Sequence, residues 1–177
     1  MDYYNHLKLF LSFQSLFLVL LLEIKKMSSS RFNSAIQKLY VAFHGDTLHP
    51  ECCNQCAVGN ILDNNDFWKN FSDAHGSLQL NYLGRVHQNL GRKYNGYSPS
   101  ELLQIEYTFL KAIGYQLPLH HLHKRPENPK DKDLLFEGLS AVVTFLCELD
   151  NQKDIMDCSV LFQYTKKKDS TESIMLS

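Results

Sequence analysis

Residues 95–114 read NGYSPSELLQIEYTFLKAIG and carry a full set of helix start and stop signals. Asn95-Gly96 marks a turn. Ser98 can cap, Pro99 takes the first helical position, and Glu101 stands where a capping-box acid belongs. Leu102, Leu103, Ile105, Phe109, Leu110 and Ile113 then recur on one helical face, and Gly114 ends the run. The same spacing appears in Phe32, Ile36, Leu39, Tyr40 and Phe43. It appears again in Leu135, Leu139, Val142, Leu146 and Leu149, behind a cap at Asp131. A shorter helix fits Phe67, Trp68 and Phe71. Residues 77–90 are mixed. Leu78, Leu80 and Tyr82 alternate like a strand, whereas Tyr82, Leu83, Val86 and Leu90 step like a helix, which is the favoured reading. Pro118, Pro126 and Pro129 make residues 117–130 an irregular loop. The expectation is an all-α fold, a single compact domain of about five helices.

Both ends depart from that pattern. Residues 9–22, LFLSFQSLFLVLLL, are apolar and uncharged. A helix of that length rises about 21 Å, short of the roughly 30 Å hydrocarbon core of a bilayer. A signal peptide would need small residues at a cleavage site, and Leu21-Leu22-Glu23-Ile24-Lys25-Lys26 supplies none. Residues 1–26 therefore read as an over-extended start before Met27 or as a weak membrane anchor, with a signal peptide the third choice. A cytoplasmic domain spanning 27–163 is expected, membrane-anchored if the extension is genuine. After Tyr164 the chain turns to Lys166-Lys167-Lys168 and small polar residues, so 164–177 reads as a disordered polar tail.

Eighteen basic against 19 acidic residues give a net charge of -1, which argues against a general nucleic-acid binder. The cysteines are odd in number, five, and unevenly spread: Cys52, Cys53 and Cys56 cluster, while Cys147 and Cys158 stand alone. A secreted disulfide scaffold would show an even, dispersed set. Clustering suits a reducing compartment with a metal or redox site, or simply buried thiols.

Thr47-Leu48-His49-Pro50 looks like a helix start with Pro50 in the first turn. On such a helix His49, Cys52, Cys53 and Cys56 share an arc about 100° wide. That stripe is equally a core face and half a metal site, since cysteine packs as a small hydrophobe. From His49 to Cys56 along a helix is about 10 Å, so no single zinc can gather all four. Either the first turn is unwound, or two of the cysteines ligate and further ligands come from His44, His75, the His120-His121-x-His123 run or Cys147. Zinc and an iron–sulfur centre are both open. Cys53-Asn54-Gln55-Cys56 can also be read as a redox dithiol, although Glu51 disfavours a thiolate and no βαβ pattern surrounds it.

Glu106 falls on the apolar face of the 99–113 helix, where a carboxylate must be paired, ligating or protonated. It either reaches a crevice or pairs with a base such as Arg85 or Arg92, or it serves as a ligand or proton-handling group, a role for which His75 is a second candidate. Arg85, Arg92 and Lys93, interleaved with Gly and Tyr, could hold a phosphate or lie in a solvated loop. There is no Gly-rich nucleotide loop, nucleophile elbow or HExxH, and no catalytic residue is assigned. A non-catalytic interaction or regulatory module with packed cysteines is the alternative to a metal or redox protein.

The stretches FHGDTLHP (43–50), ECCNQCAVGNIL (51–62) and NLGRKYNGYSPSELLQIE (89–106) resemble a family of small bacterial proteins. Its members are commonly named after the NADH-oxidising flavoprotein of the sodium-translocating NADH:quinone reductase. The resemblance runs from about Arg31 to Phe162, and those proteins start near the position of Met27. It implies a place in NADH–quinone electron transfer, with a redox or membrane respiratory partner. The flavoprotein itself joins a [2Fe–2S] ferredoxin domain to a reductase domain binding FAD and NADH. A plant-type cluster needs C-x4-C-x2-C, whereas this chain has C-C-x2-C and no dinucleotide fingerprint. No FAD or NADH residue carries over, and reductase activity by this chain alone is not expected.

Overall fold

The structure, a computed structural model, describes residues 31–152 and 157–166. These residues are all-α, with no strand among them. The order is α1 (described from 31 to 44), α2 (Ala57–Ile61), a 3-10 helix (Phe67–Phe71), α3 (Tyr82–Asn89), α4 (Pro99–Ala112), α5 (Lys132–Leu149) and α6 (Cys158–Leu161).

Helix α4 forms as its start signals require. Ser98 Oγ accepts from the Glu101 N–H, and Glu101 Oε2 accepts from the Ser98 N–H at 2.7 Å, a complete capping box. The helix buries Leu102, Leu103, Ile105, Glu106, Phe109 and Leu110. Asp131 caps α5 by accepting from the Asp133 and Leu134 N–H groups. The two helices pack together at Gly138, where a Cβ would lie 2.7 Å from Phe109 and Ile113, so only glycine allows this approach. Helix α1 adds Phe32, Ile36, Leu39 and Phe43 to the same core. Its Arg31 reaches Asp150 at the end of α5, and Gly96 and Glu101 at the start of α4.

The mixed stretch 77–90 divides between its two patterns. Asn81 caps α3 by accepting from the Gly84 N–H at 3.0 Å, and residues 77–81 are irregular. No described strand pairs with them, so the alternation of Leu78, Leu80 and Tyr82 stays unused.

The chain is still docked where it reaches the expected tail boundary at residue 164. Phe162 is fully buried, its ring against Phe43 and Phe136, and the Tyr164 hydroxyl donates to Asp133 Oδ1 at 2.6 Å. Aromatic residues just before the lysine run dock this segment on α1 and α5, and that packing outweighs the polar composition that follows. The 1–26 extension and the chain from 167 onward lie outside the described residues. Among the described residues, no helix is long and apolar enough to cross a membrane.

Candidate metal centre

The cysteines do not ride on a helix. Residues 50–55 form a chain of turns, and α2 begins only after Cys56. The Cys52 N–H donates to His49 O, and the Gln55 and Cys56 N–H groups donate to Cys52 O. Trp68 explains the departure. Its indole Nε1–H donates to Cys53 O at 2.8 Å, which pulls that carbonyl out of any helical ladder. Cys56 becomes the N-cap of α2, its Sγ accepting from the Gly59 N–H at 3.4 Å. The expected stripe of His49, Cys52, Cys53 and Cys56 therefore does not form.

Three side chains from three separate segments converge instead. Ligand atoms of Cys56, His75 and Glu106 all lie within 4.8 Å of one another. Cys56 comes from the N-cap of α2, His75 from the loop after the 3-10 helix, and Glu106 from the middle of α4. Glu106 lies on the apolar face, as its sequence position requires, and is 0 % exposed. Its partner is a histidine, not Arg85 or Arg92: Glu106 Oε1 lies 3.0 Å from His75 Nε2. Glu106 Oε2 accepts from the Val58 N–H at 3.3 Å. Both acidic members of the trio are thus oriented by backbone amides of α2, the kind of outer support that fixes ligands in metal sites.

The other sequence candidates fall outside this trio. His49 Nδ1 accepts from the Glu51 N–H, and the Cys52 thiol donates to Asn54 Oδ1 at 2.7 Å. Cys53 Sγ sits 4.0 Å from His75 Nδ1, behind the ring. Arg85, Arg92 and Lys93 are exposed, and no hydrogen bond or ion pair to a described residue gathers them into an anion site. His44 serves the core, its Nε2 lying 2.7 Å from Phe162 O. Cys147 is buried on α5. The His120 ring lies tilted against those of His121 and His123, and none of the three supplies a ligand atom to the trio.

No protein-family model matches the chain, and no curated protein or solved structure is significantly similar to it.

Electrostatics follow from burial. Desolvation pushes the Cys56 thiol well up, and the Glu106 charge adds to this, while the Gly59 N–H pulls the other way. Burial alone would lower the pKa of His75. Hydrogen bonds to Cys53 and Glu106, with the Glu106 charge, outweigh burial and push it up to about 10. The folded value thus lies above the ordinary value of 6.5, so the folded state favours the protonated ring. That contribution to stability is complete below the ordinary value and is lost as pH rises through the folded one. Urea unfolding of the metal-free protein should show the gap between wild type and His75→Gln narrowing from pH 7 to pH 10. A gap constant across that range would contradict the ion pair.

Gly59 holds the cysteine turn against α2. A Cβ there would lie 2.5 Å from both Cys53 O and the Asn54 carbonyl carbon, which are backbone atoms that cannot step aside. Gly59→Ala is expected to cost about 2 kcal/mol in thermal or urea unfolding, despite the better helix propensity of alanine. An unchanged or raised stability would show that the turn can yield around the added methyl group.

Proposed function

We propose that the protein binds one divalent transition-metal ion of the zinc class through Cys56 Sγ, His75 and Glu106. The observation that carries this reading is the convergence of a thiol, an imidazole and a carboxylate within 4.8 Å, two of them fully buried. Buried ionisable groups are costly unless paired or ligating, and here three share one point. A mixed sulfur, nitrogen and oxygen donor set suits zinc. An iron–sulfur cluster wants a set of thiolates, and the trio offers one. The ion would tie the cysteine turn, the loop at His75 and α4 together. Three protein ligands leave a fourth position for water or another donor, as in catalytic zinc sites.

Zinc is redox-silent, so this reading gives the centre a structural or Lewis-acid role. Electron transfer between NADH and a quinone, implied by the resemblance alone, would need redox groups on a partner. The alternative of a helical interaction module is favoured by one observation: burial holds the Cys56 thiol neutral, as a packed core residue would be.

Cobalt titration of the full chain, stripped of metal, separates the two. The metal reading predicts one equivalent bound, with thiolate-to-cobalt charge-transfer absorbance. Cys56→Ser and Glu106→Gln should each weaken binding by about 100-fold or more. Absence of binding, or full binding by Cys56→Ser, would favour the packed-thiol module.

A further inference from the structure

We propose that Cys53 is the exchange ligand of this centre, the thiol through which a soft divalent ion enters and leaves. The proposal rests on the metal reading above and assigns the site a further property: it trades metal with thiol-bearing donors instead of locking it in.

Three observations carry it. First, burial around the trio is asymmetric. The side chains of Cys56 and Glu106 are buried, whereas that of His75 keeps 16 % exposure. Solvent therefore approaches the trio along the His75 edge, and Cys53, itself partly exposed, stands on that edge 4.0 Å from Nδ1. Second, the buried Trp68 indole packs edge-on against His75 with ring centroids 5.5 Å apart, which covers another flank of the imidazole. Third, the Cys53 backbone is pinned, while its side chain makes a single long contact, 4.0 Å to His75 Nδ1. Its carbonyl accepts from Trp68 Nε1–H at 2.8 Å and from the Cys56 thiol at 3.5 Å. Rotation about the Cα–Cβ bond still moves Sγ by about 3 Å between staggered positions.

The exchange balances without any redox change. A donor thiolate releases the ion as Cys53 loses its proton to solvent and forms a metal–sulfur bond. His75 and Cys56 then each give up a proton and bond the ion as the bond to Cys53 breaks; Cys53 regains one of these protons and the other passes to solvent. Release runs in reverse. Cys52 takes no part, because its thiol is engaged with Asn54 Oδ1.

The test follows cobalt and zinc ions loading onto the full chain by stopped-flow, and zinc release to a chromophoric chelator. For Cys53→Ser, equilibrium affinity should stay within about threefold of wild type, while loading and release both slow by about tenfold or more. Cys53→Ala should behave alike, Cys52→Ser should match wild type, and circular dichroism should confirm that each variant folds. Unchanged exchange rates in both Cys53 variants would overturn the proposal and leave the metal reading intact. A loss of affinity as large as that of Cys56→Ser would also overturn it, by making Cys53 a resident ligand. A wild-type chain that binds neither ion would overturn both this proposal and the reading beneath it.

Discussion

Glu106→Ala is expected to destabilise the metal-free protein by about 3 kcal/mol and to abolish tight metal binding. The carboxylate accepts from two directions, from His75 Nε2 on one oxygen and the Val58 N–H on the other. Alanine removes both acceptors at once and leaves a cavity beside α2. The His75 ring, held protonated by this pairing, loses its counter-charge in a mostly buried position. Breaking one half of a buried pair costs more than the pair contributes, because the remaining half stays desolvated. Glu106→Gln is the informative companion. It can still accept from the Val58 N–H, so it should cost less in urea unfolding, yet it loses the ligand charge. A loss below about 1 kcal/mol for Glu106→Ala would mean that the carboxylate neither pairs with His75 nor holds α2.

Trp68→Ala should cost about 4 kcal/mol, the other large effect. The indole is among the largest fully buried side chains and joins the core to the site. It packs on His75 and holds Cys53 O through its N–H. Trp68→Phe separates the two roles. It keeps much of the ring volume and loses the hydrogen bond, worth about 1 kcal/mol. Because the cysteine turn is shaped by that bond, Trp68→Phe should also weaken metal binding more than its stability loss alone would suggest. Equal metal affinity in Trp68→Phe and wild type would show that the turn is held by other contacts.

The parts of the fold legible in the sequence are those set by local chemistry. The capping box at Ser98 and Glu101, the Asp131 cap and the apolar spacing of α4 and α5 act within a few residues, and each forms as read. The burial of Glu106 is legible for the same reason, since a helical face fixes where its carboxylate points. The cysteine segment is not, because the interaction that shapes it comes from Trp68, 15 residues away in sequence. Helical spacing of His49, Cys52, Cys53 and Cys56 looks like a stripe, but a single tertiary hydrogen bond and the cap at Cys56 turn it into loops. His75 is one of several histidines that could complete a site, and nothing periodic marks a loop residue. Its signal lies in the demand of Glu106 for a partner. The docking of Phe162 escapes a reading by pattern, because one aromatic residue beside a polar tail carries none.

The metal centre is tested most directly by X-ray absorption at the zinc edge on the zinc-loaded full chain. The expected result is one sulfur neighbour at about 2.3 Å, with nitrogen and oxygen neighbours at about 2.0–2.1 Å completing four-coordination. The sulfur signal should vanish in Cys56→Ser. A shell of three or four sulfurs, or one of nitrogen and oxygen alone, would contradict a centre built on Cys56, His75 and Glu106.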